Sequence, residues 1–210
     1  MQTIKCVAVG DSGVGKTCLL LSHRTHEFPT TLVPTVSNTY AVTAMCGNDP
    51  YTLSVFDTAA DPKFHRLRAL SYPVTDVFLL CFSIESRQSF QSIMEKWFPE
   101  VHHHCPGTAC LLVGMKSDLR NDPDTVAKLA RQNQTPVTRA DGERLATNLR
   151  RMPIVRADGG RAATTLGGCK YFEVSALTHD GVAELFEQVI ITAITPLPKS
   201  EGRGGHCVVV

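Results

Sequence analysis

The sequence predicts an α/β fold, in which a mostly parallel six-stranded sheet with one antiparallel edge hairpin carries helices on both faces. Two observations predict it. Short apolar runs alternate with segments whose apolar residues recur every three or four positions, a pattern typical of parallel strands connected by helices. One pair of neighbouring apolar runs is joined only by turn-forming residues, as in a hairpin. Because ligands of such sheets bind beyond the carboxyl ends of the strands, functional motifs are expected directly after strands.

The individual elements follow from these patterns in chain order. Strands are predicted at residues 4–9, 39–45, 51–56, 77–82, 109–113 and 171–174. Helices are predicted at residues 16–22, 89–101, 124–132, 138–149 and 182–194. The stretch 150–168, which is rich in Gly, Arg and small residues, predicts an exposed loop. The Pro/Gly-rich residues 196–210 predict a flexible tail.

The composition of the 210 residues indicates one globular domain with a small appendage, since 43% are hydrophobic and 20% charged. The formal net charge of +1 provides no field that attracts nucleic acid, so no nucleic-acid partner is expected. No run of apolar residues is long enough to span a bilayer, and the first residues lack the layout of a signal peptide. The eight cysteines include no C-x-x-C pair and lie mostly in apolar runs, which is typical of a reducing cytosol. We therefore expect a cytoplasmic protein.

A glycine-rich octet, from Gly10 to Thr17, matches the pattern G-x-x-x-x-G-K-[ST]. It lies between the first predicted strand and the first predicted helix, where the backbone N–H groups of such a loop cradle phosphate groups. Lys16 is expected to neutralise the β- and γ-phosphates, and Thr17 to supply an oxygen to Mg²⁺. The octet predicts the three-layer fold of P-loop NTPases. Its spacing also occurs in nucleoside kinases, so it leaves the identity of the nucleotide open.

A second motif, Lys116-Ser117-Asp118, comes after the predicted strand at 109–113. The carboxylate of Asp118 could accept two hydrogen bonds from the N1–H and 2-amino groups of guanine. Adenine has no such pair of donors and would leave a buried acceptor unpaired, which costs free energy. The motif therefore favours guanine over adenine.

With these motifs the chain resembles the Ras-like small GTPases, and within them the Rho/Rac branch, over residues 3–195. The matching segments are GDSGVGKTC at 10–18, VPTV at 33–36, FDTA at 56–59, RLRALSYP at 66–73, CFSIESRQSF at 81–90, WFPEVHHHCP at 97–106, KSDLR at 116–120 and NQTPVT at 133–138. Residues 121–136 lie where the Rho branch carries an inserted helix that Ras, Rab and Arf relatives lack. The resemblance implies a small GTPase domain over residues 1–195, with GTP or GDP and Mg²⁺ as its ligands.

The resemblance also implies a role for each matching position. Contacts with the phosphates are implied for Asp11, Ser12, Gly13, Val14, Gly15, Lys16, Thr17, Cys18, Thr35 and Ala60. Contacts with guanine are implied for Phe28, which would stack on the base, and for Lys116, Asp118, Ser175 and Ala176. Mg²⁺ would be held by Thr17, Thr35 and, through water, Asp57. The implied catalytic residues are Lys16, Thr35 and Asp61.

By the same resemblance, the molecule would act as a switch. GTP and Mg²⁺ would order segments 28–40 and 57–73, and hydrolysis to GDP would release them. Effectors, exchange factors and GTPase-activating proteins would bind these two segments.

The chain departs from the family at its hydrolytic motif. The family sequence D-T-A-G-Q is Asp57-Thr58-Ala59-Ala60-Asp61 here. Ala60 carries a Cβ that penalises φ > 0. Asp61 is negatively charged, and it is shorter than the family glutamine that orients the attacking water. Pro62 then removes a backbone donor and stiffens the segment. We therefore expect hydrolysis slowed severalfold or more.

Three further departures concern ligand and partner recognition. Ser12 stands where the Rho branch has glycine, and narrows the space for an arginine supplied by an activating protein. Met115 replaces the Asn or Thr that begins the guanine motif, and its thioether cannot donate the usual hydrogen bond. Leu32 replaces a tyrosine that covers the nucleotide, so partner recognition through residues 31–40 is expected to be unusual.

The last four residues, Cys207-Val208-Val209-Val210, fit the C-a-a-X pattern in which the cysteine takes a prenyl group. Modified in this way, the protein would associate with the cytoplasmic face of the plasma membrane or of endomembranes. The terminal valine leaves farnesyl and geranylgeranyl both open. The alternative is an unmodified hydrophobic tail.

Other motifs have structural interpretations. His102, His103, His104 and Cys105 are consecutive, so on a helix they point in different directions and do not converge on a metal. Trp97 and Phe98 are predicted core residues. The arginines within 150–168 resemble the lid of a nucleotide kinase, but Gly and Ala interrupt them without a period, which favours a solvated loop.

Three functions remain in competition. The first is a Rho-type switch that hydrolyses GTP. The second is a nucleotide-loaded signalling scaffold that cannot turn over, motivated by Ala60 and Asp61. The third is a P-loop phosphotransferase, which predicts adenine preference and a second substrate, and Asp118 argues against it.

Overall fold

The computed structural model describes residues 2–31, 37–47, 49–155, 161–165 and 169–195. In these residues the fold has three layers, a six-stranded sheet between two layers of helices. The strands in chain order are β1 (Gln2–Gly10), β2 (Ser37–Cys46), β3 (Asp49–Thr58), β4 (Val77–Ser83), β5 (Ala109–Met115), β6 (Pro153–Val155), β7 (Arg161–Thr165) and β8 (Lys170–Val174). The helices are α1 (Lys16–Thr25), α2 (His65–Leu70), α3 (Arg87–Ser92), α4 (Phe98–His104), α5 (Pro123–Ala130), α6 (Arg139–Arg151) and α7 (Val182–Ile194).

The main sheet has the order β2-β3-β1-β4-β5-β8. β2 and β3 form an antiparallel hairpin at one edge, and every other neighbouring pair is parallel. β1 therefore lies inside the sheet, and its last residue, Gly10, is flanked by the carboxyl ends of β3 and β4. The predicted fold class is confirmed, including the single edge hairpin.

Each face of the sheet has its own apolar core, as the alternation of side chains along a strand requires. Ile4, Cys6 and Ala8 of β1 face α1 and α7. Val7 and Val9 face the opposite layer, in which Trp97, Phe98, Leu145 and Leu149 are buried. β4 and β5 are buried along their whole length, which explains why they appear as continuous apolar runs in the sequence.

The second predicted helix differs from its expected form. α3 begins at Arg87, where Ser86 caps it by accepting a hydrogen bond from the Ser89 N–H. A π-helical turn, Ile93–Trp97, then separates α3 from α4, which ends at His104. Periodicity alone predicts an uninterrupted helix, because a π turn adds one residue without removing the apolar face.

Part of the stretch 150–168, predicted as an exposed loop, forms regular structure, while residues 156–160 and 166–168 lie outside the described residues. α6 continues to Arg151, and β6 then pairs antiparallel with β7 to form a separate two-stranded sheet. Both strands are short, and β-branched residues at 154, 155, 164 and 165 favour extended backbone. Within 121–136, the expected short helix is present as α5. No helix in the described part of the chain is both long and apolar enough to cross a membrane.

Candidate functional site

The glycine-rich loop connects the end of β1 to the start of α1. Gly10 has φ +153°, and a Cβ at this position would collide with the carbonyl of Cys81 on β4, so the loop leaves the sheet where only glycine fits. Gly15 has φ +109° and is the N-cap of α1. The first N–H groups of α1 have no partner within the helix and carry its positive dipole end, which makes this loop suited to an anion.

Lys16 crosses this loop with its side chain. Its ammonium group donates to the carbonyls of Gly10 (2.7 Å) and Asp11 (2.9 Å), and the residue is only 8% exposed. Burial lowers the pKa of Lys16, while Asp57 and Asp11 act in the opposite direction. The site thus holds a buried cation at the start of a helix, which is an arrangement that stabilises a polyphosphate.

Thr17 and Asp57 come together beside this cation. The Thr17 hydroxyl donates to Oδ2 of Asp57 over 2.7 Å, and Asp57 lies fully buried near the end of β3. A hydroxyl and a carboxylate are hard oxygen ligands of the kind that Mg²⁺ uses together with phosphate oxygens. The residues present therefore fit a magnesium ion.

The candidate base site forms at the ends of β5 and β8. Asp118 accepts a hydrogen bond from the hydroxyl of Ser175 over 2.6 Å. Ser175 is fully buried, and its own oxygen also accepts from the N–H of Thr178. The carbonyl of Ala176 accepts from Ser22 of α1. These contacts fix the Asp118 carboxylate and the 175–176 turn relative to the helix that begins at the glycine-rich loop.

The other residues implied by the resemblance are distributed as follows. Ser12 and Gly13 are exposed, Val14 is buried, and Cys18 is partly buried, which raises the pKa of its thiol. Phe28 is 40% exposed. Thr35, Leu32 and Cys207 lie outside the described residues. Their assignments remain predictions.

Met115 has an apolar role next to the loop. It is buried, and a Cβ built on Gly15 would lie 3.6 Å from its Cε. The thioether therefore packs beneath the start of α1, where the family residue would form a hydrogen bond.

The segment Ala59–Asp61 has its polar groups held by neighbours. Of the described non-glycine residues, those with φ > 0 are His26, Val74, Lys116, Asn133 and His179, so Ala60 avoids the conformation that its Cβ would penalise. Asp61 caps a 3₁₀ turn (Pro62–Phe64) by accepting from the N–H of Lys63 over 2.9 Å, and it pairs with the Lys63 ammonium at 3.0 Å. These hydrogen bonds to Lys63 lower the pKa of Asp61. The carboxylate is therefore used in a local turn.

Sequence reasoning missed a network around Trp97, which it assigned only to the core. The indole Nε1–H donates to Oδ1 of Asp11 over 2.8 Å, so the glycine-rich loop is attached to the π-helical turn. Lys96 lies 4.0 Å from the same ring and donates to the carbonyl of Ala60 over 3.2 Å. The available signal was chemical, because a buried indole N–H requires an acceptor.

Arg68 completes this network from α2. It is buried, donates to the carbonyl of Ala59 over 2.6 Å, and binds both carboxylate oxygens of Glu100. Its guanidinium carbon lies 4.9 Å from the Trp97 ring. Two neighbouring carbonyls, those of Ala59 and Ala60, are therefore each fixed by a cation that packs on one indole.

The histidine run has no convergent geometry. His102 stacks on Phe98, and the Cys105 thiol donates to the carbonyl of Tyr72. Among the described residues, no group of three or more His, Cys, Asp or Glu side chains could hold a metal ion.

The sheet order, the glycine-rich loop after the central strand and the Lys16–Thr17–Asp57 cluster define the class of the protein, a P-loop NTPase. A protein-family model described as the Ras family matches residues 5–195. The match covers nearly the whole chain, and the chain belongs to this family. Members of the family are small GTPases, switches that bind GTP or GDP with Mg²⁺, hydrolyse GTP and act through regulator and effector proteins.

Proposed function

We propose that this protein is a Rho-type small GTPase with slow intrinsic hydrolysis, which signals from a membrane through a prenylated Cys207. The observation that carries the nucleotide-binding function is the cluster at the loop, where Lys16 is buried across it and Thr17 contacts Asp57. The Asp118–Ser175 pair supports guanine as the base. The Rho-type assignment is supported by the matching segments and by α5, which occupies the position of the insert that distinguishes that branch.

The residues divide the binding task between two ends of the site. At the phosphate end, the loop amides and Lys16 neutralise negative charge, and Thr17, Thr35 and Asp57 would hold Mg²⁺, which supplies additional positive charge to the phosphates. At the base end, Asp118 accepts hydrogen bonds from guanine, held in place by Ser175. Phe28 and Ala176 would complete the base contacts.

Slow hydrolysis follows from the state of Asp61. A residue that orients the attacking water must have its polar group directed at the γ-phosphate. The Asp61 carboxylate is instead bonded to the N–H and the ammonium group of Lys63. It is also one methylene shorter than the family glutamine and negatively charged, so it repels the triphosphate.

The same observation supports the second candidate, a GTP-loaded scaffold without turnover. In both cases the protein binds guanine nucleotide, and the two differ only in whether the hydrolytic step occurs on a useful time scale. The phosphotransferase alternative lacks comparable support, because the Asp118–Ser175 pair provides an acceptor for guanine.

The nucleotide that copurifies tests these alternatives. We expect chromatography of the denatured protein to release guanine nucleotide, predominantly GDP if the protein hydrolyses GTP and GTP if it is a scaffold. Adenine nucleotide would refute the proposal.

A base substitution tests the site itself. Asp118→Asn is expected to lower the affinity for GDP about 100-fold and to raise the affinity for xanthosine diphosphate, because the amide donates where the carboxylate accepted. Asp124→Asn, an equal charge change at an exposed position of α5, is the matched control and should leave both affinities unchanged. Membrane anchoring is tested separately by feeding eukaryotic cells a labelled isoprenoid precursor, which we expect to label the wild-type protein and not a Cys207→Ser variant.

A further inference from the structure

Glu85 links the candidate base site to the start of α3. It follows Ile84, the first residue after β4, and precedes Ser86, the N-cap of α3. Its Oε1 accepts a hydrogen bond from the Lys116 ammonium over 2.5 Å. Nothing in the nucleotide-binding motifs or in the family match assigns a role to this carboxylate.

The backbones on both sides of this ion pair are fixed. Lys116 has φ +59°, a left-handed conformation held between β5 and the 3₁₀ turn Ser117–Arg120. The N–H of Ile84 donates to the carbonyl of Met115 over 3.0 Å, and the Ile84 carbonyl accepts from Val137. Because the residues adjoining Glu85 and Lys116 are bonded to each other, the pair forms with little loss of backbone freedom, unlike most surface pairs.

The pair also forms part of the wall of a groove beside the glycine-rich loop. This groove of about 570 Å³ lies between the glycine-rich loop, the start of α3 and α5, and its lining includes Ser12, Gly13, Glu85, Lys116, Lys128 and Gln132. Without Glu85, water in the groove would solvate the Lys116 ammonium. The carboxylate ties the Lys116 ammonium to the residues that follow β4. Gly13 lines the same groove, and Asp118 is two residues from Lys116 in the chain.

We propose that Glu85 is a positioning residue, which holds Lys116 across the base end of the site and so sets the rate of guanine-nucleotide release. The inference rests on the proposed guanine-nucleotide function. The rate of nucleotide release should depend on Glu85, because Glu85 orders the Lys116 side chain before the nucleotide binds. Without that order, the complex with the nucleotide is less stable and dissociates faster. The rate of association should depend on Glu85 little, since the Glu85–Lys116 pair is overall neutral and the contacts of Lys16 do not involve it.

The rate of release of fluorescent N-methylanthraniloyl-GDP, chased with excess GDP, tests the proposal. We expect Glu85→Gln to release the nucleotide about fivefold faster, as for the loss of a charge-assisted hydrogen bond that is partly exposed. Glu85→Asp should restore much of the wild-type rate. Glu95→Gln, the same charge change at an exposed position of the following π-helical turn, should release at the wild-type rate.

A double-mutant cycle separates positioning from a general structural effect. In a Lys116→Met background, Glu85→Gln should have no further effect on release, because its partner is gone. Thermal unfolding of Glu85→Gln in saturating GDP should lie close to that of the wild type. Raised salt should narrow the difference in release rate between these two proteins by screening the pair.

The outcomes are distinct. Release from Glu85→Gln at the wild-type rate, or an equal acceleration in the Lys116→Met background, overturns the role of Glu85 and leaves the proposed function intact. A wild-type protein with no measurable affinity for GDP in the presence of Mg²⁺ overturns both.

Discussion

Two segments that meet at the same edge of the sheet differ in how closely they follow their family pattern. The glycine-rich loop, residues 10–17, keeps every defining position, and its lysine is buried against the loop's own carbonyls. In the neighbouring segment, Ala59–Asp61, two carbonyls are held by Arg68 and Lys96, and the aspartate caps the next turn. In the proposed function, the first segment binds and the second controls turnover. The difference teaches that, on this proposal, nucleotide binding and GTP turnover depend on separate segments, so one can diverge in sequence while the other is kept.

Removal of the buried lysine should have the largest effect and could break this comparison. Lys16→Met is expected to lower the affinity for GDP roughly 100-fold or more, because it removes charged hydrogen bonds of about 1.5–3 kcal/mol each. Fluorescence titration measures it. Lys63→Met, which removes the exposed cation that pairs with Asp61 of the other segment, should alter affinity less than twofold. Equal losses in the two variants would mean that binding is not confined to the loop.

Repair of the second segment should have the next largest effect. A variant with Ala60→Gly and Asp61→Gln is expected to raise the rate of single-turnover GTP hydrolysis about tenfold, since it restores a neutral side chain of the length that orients water. Its affinity for GDP should remain within about twofold. Asp61→Asn, which removes the charge without adding length, should give a smaller gain. An unchanged rate in the double variant would mean that hydrolysis is limited elsewhere.

The bond between Trp97 and Asp11 tests how firmly the loop is attached to the rest of the fold. Trp97→Phe is expected to lower the free energy of unfolding by about 1–2 kcal/mol, because the Asp11 carboxylate loses its indole donor. In an Asp11→Ala background the same substitution should cost about 1 kcal/mol less. Chemical denaturation of the four proteins measures this coupling. If the changes in the free energy of unfolding of the two single variants add up to that of the double variant, the direct contact is contradicted.

A histidine on the loop's own helix gives the smallest predicted effect. His23 stacks on Phe186 with ring centroids 3.8 Å apart, and burial lowers its pKa from 6.5 to about 4. Because the unfolded chain binds the proton more readily, this stabilisation is complete above pH 6.5 and is lost as the pH falls towards 4.

For a partly exposed side chain we expect a loss of about 1 kcal/mol over that range. The free energy of unfolding of His23→Phe should depend less on pH between 4 and 6.5 than that of the wild type. Burial also lowers the pKa of His102 and His104, but both histidines are present in the two proteins, so the difference isolates His23. Parallel pH profiles would contradict the assignment.

The sequence predicts most of this fold because its signals are local. The apolar runs of β4 and β5, the hairpin between β2 and β3, and the strand–loop–helix context of Gly10 to Thr17 all depend on neighbours in the chain. The pairing of β6 with β7 gives no such local signal, because two strands this short are hard to distinguish in sequence from irregular structure.

The parts of the site that sequence reasoning missed are contacts between distant residues. Trp97 and Asp11 are 86 positions apart, and Glu85 and Lys116 are 31 apart. Their side chains meet only because parallel strands bring the ends of β1, β4 and β5 to one edge. Asp61 is a different case. An aspartate one position before a proline is a local signal for a helix cap, and it is readable in the sequence alone.

In the proposed switch, the capped turn at Asp61 has a consequence for how the two nucleotide-bound forms are distinguished. Asp61 accepts from the Lys63 N–H, and Arg68 donates to the Ala59 carbonyl. With these bonds in place, nucleotide binding would order this segment only a little further. If effectors bind this face, the GTP-bound and GDP-bound forms present it in similar conformations. The strength of the signal would then depend on the copy number of the protein and on its location in the cell.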